Sequence, residues 1–120
     1  MGTFKDLIVY QKAYKLAMDI FEISKIFPKE EIYSLTDQIR RSSRSVCTNI
    51  AEAYRKRRYT AHFISKTSDS DMENSETQVW IDFSFNCNYI SDKDQKGLIL
   101  RSEEIGRLLG HMIENPEKYK

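Results

Sequence analysis

Two cysteines and two histidines are the side chains of this sequence that most directly suggest chemistry. They are Cys47, Cys87, His62 and His111. Together they include the ligand types that zinc takes, and a Cys/His pair could serve nucleophilic catalysis. No C-x-x-C or H-x-x-x-H spacing is present, and the four fall on three predicted helices. We therefore predict no catalytic residue, no metal site and no cofactor, and interpret the four as core or surface residues.

An acidic run offers a second candidate metal site at Asp69, Asp71 and Glu73. On a helix, residues i and i+2 point about 200° apart, so these carboxylates should not converge on one ion. The chain also lacks the Gly-x-Gly or Gly-Lys-Ser/Thr sequences that cradle phosphates. The sequence therefore predicts that the protein is not an enzyme and has no small-molecule substrate.

A basic cluster is the main candidate for binding, and it consists of Arg55, Lys56, Arg57 and Arg58. Clustered Arg and Lys give sequence-independent affinity for RNA or DNA phosphates, and the flanking Tyr54 and Tyr59 could stack on bases. The alternative is a solvated helix end, where cations complement the helix dipole. Both interpretations stay open.

Charge is separated along the chain, although the whole chain has a net charge of only +1. Residues 36–59 contain seven basic and two acidic residues, whereas residues 60–90 contain one basic and five acidic residues. If the helices that carry these two segments are antiparallel, facing residue numbers sum to about 117. Arg41 then faces Glu76 and Arg44 faces Glu73.

These pairings predict a structural polar network within or between subunits. Its members are Arg40, Arg41, Arg44, Asn49, Glu52, Glu73 and Glu76. Such ion pairs would fix register more than add stability.

Helical periodicity positions these candidate residues. The 120 residues predict one domain, 1–120, and the scarcity of Gly and Pro (four and two) favours long helices. Apolar spacing predicts four helices: about Phe4 to Phe27, Ser34 or Thr36 (N-cap) to Arg58, Thr60 to Tyr89, and Ser91 or Asp92 (cap) to Glu114. Short connections make sequential helices antiparallel, so the expected fold is an all-α, up-and-down four-helix bundle.

The predicted core positions follow the same spacing. The second helix should bury Leu35, Ile39, Val46, Ile50 and Ala53, together with the small Ser42 and Ser43. The third helix should bury Phe63, Thr67, Ser70, Thr77, Trp80, Phe83, Cys87 and Ile90. The fourth helix should bury Leu98, Ile105, Leu109, Met112 and Ile113.

The first helix is more apolar than a bundle position requires. Its apolar residues cover roughly 220° of the circumference, against a little over 100° for an outer helix of a monomeric bundle. We therefore predict a homo-oligomer. The expected contacts with the next subunit are Val9, Ala13, Leu16, Ile20 and Phe27.

The composition also bears on location. No apolar run is long enough to cross a bilayer, and the first residues lack the pattern of a signal peptide. Cysteines in such a chain are expected to be reduced thiols. We therefore expect a soluble cytoplasmic protein without a membrane partner.

Three stretches resemble a known family. The segment 38–46 (QIRRSSRSV), followed by 49–53 (NIAEA), closely resembles the family's second-helix motif. The opening 4–13 is similar to its entry motif, and Ser70-x-x-Glu73-x-x-Glu76 is similar to its third-helix motif. The family is that of the bacterial four-helix-bundle proteins encoded in intervening sequences of 23S rRNA genes.

The resemblance implies a left-handed antiparallel bundle, a ring-like homopentamer and no established enzymatic activity. In such a ring, Arg40 or Arg41 could alternatively face the central pore, where five copies would contact phosphates. A related protein, the accessory variability determinant of diversity-generating retroelements, works with a reverse transcriptase and nucleic acid through a positively charged surface. The resemblance thus implies an RNA or nucleoprotein partner. This chain departs from the family pattern at Arg44, Cys47, Asp69 and Asp71.

The sequence therefore supports two hypotheses. The first is a non-catalytic, homopentameric protein that binds RNA or a nucleoprotein through its basic surface. The second is a structural scaffold without nucleic-acid affinity, whose charges serve assembly alone and whose subunits dissociate when Arg41 or Glu76 is reversed in charge.

Overall fold

Four α-helices make up most of residues 2–120, the part of the chain that the structure, a computed structural model, describes. They are α1 (Ile8–Ile23), α2 (Asp37–Arg55), α3 (Thr60–Asn86) and α4 (Asp92–Glu114). These residues contain no strand, so the predicted all-α four-helix bundle is confirmed. None of the helices in residues 2–120 has the length and apolar character that a bilayer crossing requires.

Neighbouring helices run in opposite directions around the bundle. Each helix packs on the next, and α4 packs back on α1. Between α2 and α3, Val46 contacts Ser70 and Glu52 contacts Lys66. Residue numbers that increase along α2 therefore face residue numbers that decrease along α3, so the two helices are antiparallel. The same reversed order holds for Lys12–Glu104 and Asp19–Arg101 between α1 and α4, and for Asn74–Ser102 and Asp82–Gln95 between α3 and α4. The left-handed twist stays a prediction.

The start of α2 differs from the prediction that Ser34 or Thr36 caps it. A π-helical turn, Ile32–Thr36, leads directly into α2, and the Thr36 backbone is already helical. The Ser34 hydroxyl instead donates to Glu31 Oε1 at 2.6 Å. Both predicted caps are wrong, because a helical turn before Asp37 supplies a backbone acceptor for its amide.

The predicted Ser91 cap of α4 is confirmed. Its hydroxyl accepts from the Asp94 amide at 3.0 Å, which satisfies one of the free donors at the start of the helix. At the other end of the sequence, Thr3 Oγ1 accepts from the Lys5 amide and Asp6 Oδ2 accepts from the Thr3 amide. This capping box fixes the short 3₁₀ turn Phe4–Asp6 that precedes α1.

Small hydroxyl side chains form the contact between α2 and α3. Ser42 and Thr77 are fully buried and share a hydrogen bond of 2.8 Å. The Ser70 hydroxyl donates to the Val46 carbonyl across the same interface at 2.8 Å. Because these side chains are short, the two helices can approach closely, and because they are hydrogen-bonded, the cost of burying them is offset.

A second polar contact joins α3 to α4. Asn74 Nδ2 donates to the Ser102 carbonyl at 2.8 Å, and the Ser102 hydroxyl donates to Asn74 Oδ1 at 2.8 Å. Gln78 Nε2 donates to the Ser102 hydroxyl at 3.0 Å. These bonds select one register for α3 against α4, since a shifted helix would leave buried polar atoms unpaired.

The inner face of α3 is therefore only partly the predicted one. Phe63, Thr67, Ser70 and Thr77 are buried as expected, but the second half of the helix buries Ile81 and Ser84. Phe83 and Cys87 are exposed and Trp80 is half-buried. The prediction of Phe83 and Cys87 was wrong, because Ile81 and Ser84 continue the spacing from Thr77 by four and seven residues, whereas Trp80 does pack against the core from its edge.

All seven residues predicted for the inner face of α2 are buried: Leu35 in the turn before the helix, and Ile39, Ser42, Ser43, Val46, Ile50 and Ala53 within it. Cys47 of α2 is buried as well, although the apolar spacing did not assign it to this face. On α4, four of the five predicted positions are buried and Ile113 is half-buried. Large apolar residues at helical spacing thus located these two faces correctly.

The predicted subunit contacts on α1 are corrected by the structure. Val9, Ala13, Leu16, Ile20 and Phe27 are only 0–8% exposed and belong to the core of the single chain. Side chains so deeply buried within one chain have almost no surface left for a partner. The surplus apolar surface of α1 lies instead along its other flank, which contains Tyr14 and Met18, 53% and 42% exposed.

Replacing Ile81 with Ala should test the corrected inner face of α3. Ile81 is fully buried, so its truncation should lower the free energy of unfolding by about 2–5 kcal/mol through lost burial and a cavity. Leu100→Ala is the control, because Leu100 is a large aliphatic residue exposed on α4 and its truncation should change stability by only about 0.5 kcal/mol. Urea unfolding followed by circular dichroism measures both. Equal losses would contradict the assignment.

Candidate nucleic-acid interface

The turn between α2 and α3 brings the predicted basic cluster to one end of the bundle. α2 ends at Arg55, the Tyr59 amide closes the turn by donating to the Lys56 carbonyl at 2.8 Å, and α3 begins at Thr60. We call Arg55–Arg58 the basic turn. Arg55 thus extends from the last residue of α2, and Lys56, Arg57 and Arg58 extend from the short, hydrogen-bonded loop that follows it.

No carboxylate within residues 2–120 forms an ion pair with the basic turn. Arg55, Lys56 and Arg58 are exposed, and Arg57 is half-buried. Cations without an internal partner keep their charge available to an external anion. They also lie at the C-terminal end of α2, where the helix dipole is favourable to them.

Arg57 and Tyr54 are packed on each other. The Arg57 guanidinium lies 4.0 Å from the centre of the Tyr54 ring, and its Nη1 donates to the Tyr54 carbonyl at 2.9 Å. The Tyr54 hydroxyl donates to the Gly2 carbonyl at 3.3 Å. Arg57 thus covers one face of the Tyr54 ring. Through these contacts Tyr54 holds Arg57 and the N-terminal segment in place.

Tyr59 offers the aromatic surface that Tyr54 does not. It is 61% exposed. Its ring meets the ring of His62 edge to face, at 6.2 Å between centres and an interplanar angle of 87°. This T-shaped contact is a favourable arrangement of two aromatic rings and holds the Tyr59 ring in position. Tyr59 is therefore the ring of the predicted pair that can stack on a base.

The N-terminal segment forms one wall of a groove at the basic turn. The groove has a volume of about 560 Å³. It is lined by Gly2, Thr3, Phe4, Tyr54, Arg55, Arg57, Arg58 and Tyr59. Sequence reasoning did not assign Gly2, Thr3, Phe4 or His62 to this site. The Thr3-x-x-Asp6 spacing is a capping signal, but it indicates a fixed turn and not a neighbour of Tyr54.

The predicted ion pair of Arg41 with Glu76 is present, and Glu73 joins it. Arg41 Nη2 contacts Glu76 Oε2, and Nη1 and Nη2 each lie 3.3 Å from a Glu73 oxygen. Hydrogen bonding to Glu73 raises the pKa of Arg41. Desolvation, followed by the adjacent Glu73, raises the pKa of Glu76, although Arg41 acts in the opposite direction.

Arg40 and Arg44 lie elsewhere than predicted. Arg44 does not contact Glu73. Its guanidinium lies 5.6 Å from the centre of the Phe21 ring, which the Arg40 guanidinium approaches at 4.7 Å. Arg40 Nε also donates to the Ser24 hydroxyl at 2.8 Å. The two arginines therefore cover an aromatic residue of α1, and the predicted pairing of Arg44 is wrong because its side chain turns toward α1 rather than α3.

The remaining members of the predicted network are separate from Arg41. Asn49 Nδ2 donates to the Ser45 carbonyl of its own helix at 2.9 Å. Glu52 pairs with Lys66 of α3 at 2.8 Å. The seven residues thus form several independent contacts along the α1–α2–α3 side of the bundle, and the prediction of one connected network is corrected.

The acidic run diverges as its spacing predicts. Asp69 approaches Lys66 at 4.0 Å, Asp71 lies next to Gly106 of α4, and Glu73 pairs with Arg41 of α2. Within residues 2–120, no three His, Cys, Asp or Glu side chains are grouped so as to hold a metal ion. Asp69 is therefore used within α3, whereas Asp71 and Glu73 face α4 and α2 respectively.

The two cysteines and the two histidines likewise do not form a single site within residues 2–120. Cys47 is buried in α2 and Cys87 is exposed after α3, and both are free thiols. His111 Nδ1 lies 3.1 Å from the Tyr119 hydroxyl, and His62 meets Tyr59. Burial raises the pKa of Cys47 to about 11, so its thiol is protonated at neutral pH and unreactive.

Comparisons with known proteins place the whole bundle in context. The family model described as "23S rRNA-intervening sequence protein" matches residues 5–111. A crystal structure of a protein with unknown function from the S23 ribosomal protein family, from Bacteroides thetaiotaomicron VPI-5482, is similar at 30% sequence identity and a TM-score of 0.82. The similarity covers 92% of this chain and 98% of that one. No curated protein matches.

The two thiols should differ sharply in reactivity. With iodoacetamide at pH 8, we expect Cys87 to be alkylated rapidly and Cys47 to react only when the bundle opens, because burial both shields its sulfur and disfavours the thiolate. Mass spectrometry of peptides from timed samples measures each site. Denaturant should equalise the two rates. Comparable rates in the native protein would contradict the position of Cys47 in the core.

Proposed function

This chain belongs to the 23S rRNA-intervening sequence protein family, and from that premise we propose that it is a non-catalytic RNA-binding protein of the cytoplasm. It acts as a homo-oligomer, a pentamer, and engages RNA or a nucleoprotein through the basic turn. The observation that carries the proposal is the group of four cations at one end of the bundle, none of which has a carboxylate partner within residues 2–120.

The basic turn suits the phosphate backbone of RNA. Arg55, Lys56 and Arg58 are exposed, and release of counterions from RNA would supply the affinity. Elsewhere the cations of α2 and α3 are already used: Arg41 pairs with Glu73 and Glu76, and Lys66 pairs with Glu52. If each cation of the basic turn formed an ion pair with a carboxylate of the same chain, a purely structural role would be favoured.

The exposed ring favours unpaired bases over a duplex. Tyr59 presents its ring at the mouth of the groove, and stacking needs a base that is not already stacked within a helix. Gly2, Thr3 and Phe4 line the same groove. The RNA that fits is therefore a single strand, or a loop in a structured RNA, with phosphates that follow the basic turn.

Several copies of the turn in one assembly would multiply a weak contact. One turn supplies only four cations and one exposed ring, so its affinity should be modest. Subunits that bind neighbouring segments of the same RNA raise the effective concentration of each next contact. Homo-oligomerisation and RNA binding therefore belong to the same proposal.

The scaffold hypothesis differs from this one in its expected results. Arg41 makes its ion pairs with Glu73 and Glu76 inside one chain, so reversing its charge would act first on the register of α2 and α3. A scaffold would form the oligomer without any affinity for RNA. The experiment below therefore separates the two hypotheses.

Removing the basic turn should abolish salt-dependent RNA binding. In the variant with Arg55, Lys56, Arg57 and Arg58 all replaced by Ala, we expect affinity for a fluorescent single-stranded RNA to fall below detection. If residual binding remains, the slope of log affinity against log salt should be shallower by about 3, since four phosphate contacts are lost. Fluorescence anisotropy across a salt series measures both quantities.

The control for net charge is a second fourfold Ala variant. It removes four dispersed exposed cations that lie away from both chain ends: Lys29, Lys93, Lys96 and Arg107. Of these, only Lys96 forms an ion pair within residues 2–120, an exposed one with Asp92. It should retain most of the affinity. If both variants lose the same RNA affinity, the effect comes from net charge and not from the basic turn. If the first variant binds RNA as the wild type does, the proposal is overturned in favour of the scaffold.

Tyr59 should contribute stacking that Tyr54 does not. Tyr59→Ala should weaken binding of single-stranded RNA about 5- to 150-fold, the equivalent of ~1–3 kcal/mol for one stacked base. Tyr59→Phe should retain the affinity, because the ring remains. Tyr33→Ala is the matched control, since Tyr33 is also highly exposed but lies in the connection between α1 and α2. Anisotropy with duplex RNA should show no Tyr59 effect.

A further inference from the structure

The solvent side of α3 presents three large apolar side chains on one face, with Glu76 between the first two, and we call them the α3 stripe. Met72, Val79 and Phe83 are 69%, 49% and 54% exposed. They are spaced by seven and four residues, so they lie on one helical face, and the stripe is about 16 Å long. Such a row of large apolar side chains is unusual for an exposed helix and indicates a contact surface.

A second stripe of the same length lies on α1. Tyr10, Tyr14, Met18 and Phe21 follow each other by four, four and three residues, and they too span about 16 Å. Tyr14 and Met18 are exposed, and Tyr10 and Phe21 are half-buried. The rings of Tyr10 and Tyr14 are 6.0 Å apart, so this stripe is a largely aromatic surface.

The two stripes lie on different sides of the molecule. α1 and α3 occupy opposite corners of the bundle, because each packs mainly against α2 and α4. Neither stripe can therefore cover the other within one chain. Two such surfaces on one subunit are what a head-to-tail assembly requires, since each copy then offers one surface and receives the other.

The charges beside the stripes are of opposite sign. Lys25, Arg40 and Arg44 lie 5.0, 4.7 and 5.6 Å from the centre of the Phe21 ring, so the end of the α1 stripe is cationic. Carboxylates lie on both flanks of the α3 stripe, at Asp69, Glu76 and Asp82. Lys66 and Arg41 pair with the first two inside the chain, but Arg41 is shared with Glu73 and Asp82 forms no ion pair within residues 2–120, so the flanks keep a net negative charge. Pairing two α3 stripes would bring like charges together, as would pairing two α1 stripes, whereas pairing one of each is complementary.

We propose that the α3 stripe of one copy docks on the α1 stripe of a second copy of this chain. This inference rests on the proposed homo-oligomer and identifies the two surfaces that would build it. The contact is heterologous, so every subunit uses both stripes. The basic turn belongs to neither stripe and remains available to RNA in each copy.

Two variants, each defective in one stripe, test this contact. Phe83→Asp places an unpaired carboxylate in the α3 stripe, and Tyr14→Asp does the same in the α1 stripe. Both parent residues are more than half exposed, so each variant should fold, which circular dichroism and thermal unfolding verify. Light scattering during size-exclusion chromatography should show the wild type as an oligomer and each variant as a single chain of 14.2 kDa.

The decisive measurement is an equimolar mixture of the two variants. The Tyr14→Asp chain keeps a sound α3 stripe and the Phe83→Asp chain keeps a sound α1 stripe, so the mixture should form a 1:1 heterodimer and nothing larger. Native mass spectrometry identifies its composition. Leu100→Asp is the control, because it puts the same charge on another exposed apolar residue and should leave the wild-type assembly intact.

Each other result overturns the inference in a recognisable way. If Tyr14→Asp chains still pair with each other, the contact is a symmetric one between α3 stripes. If both variants assemble like the wild type, other surfaces build the oligomer, and the proposed function survives. A wild-type chain that is monomeric overturns the docking and the proposed homo-oligomer together, while RNA binding by the monomer would remain measurable through the salt dependence of the basic turn.

Discussion

Hydrogen bonds between short side chains hold α2 against α3, and the rest of the molecule depends on that contact. Ser42 meets Thr77, and Ser70 reaches the Val46 carbonyl. Such bonds tolerate no sliding, because a shift of one residue would leave buried hydroxyl groups unpaired. The register that results brings Arg41 to its two carboxylates and turns the apolar stripe of α3 outward. The outward position of the α3 stripe therefore depends on buried polar contacts between α2 and α3.

The cations of α2 divide into those that the fold uses and those that it does not. Arg41 neutralises carboxylates of α3, and Arg40 and Arg44 cover the Phe21 ring of α1. At the end of the same helix, the basic turn has no such partner within residues 2–120. Its four cations are available because the chain reverses direction there, beyond the acidic part of α3.

The sequence predicted some parts of this structure well, for physical reasons that differ between helices. On α2, Ile39 and Ile50 are large, apolar and helically spaced, so their burial is evident. On α3, Asn74 and Ser84 are buried because they are small and hydrogen-bonded, which periodicity of apolar residues cannot detect. On α1, an apolar band of roughly 220° indicated surplus surface but not which half faces the core. The groove at the basic turn needed residues 2–4, which only tertiary structure brings to Tyr54.

Tyr54 binds Gly2 across 52 residues, and at the other terminus the ring of Tyr119 stacks on Phe63 near the start of α3. Both chain ends thus emerge beside the basic turn, at one end of a body 44 Å long. Any polypeptide joined to either end, such as an affinity tag, would begin next to the groove, and a basic tag would add its own charge there. Surface immobilisation is better directed to the far end, through the connection that contains Tyr33.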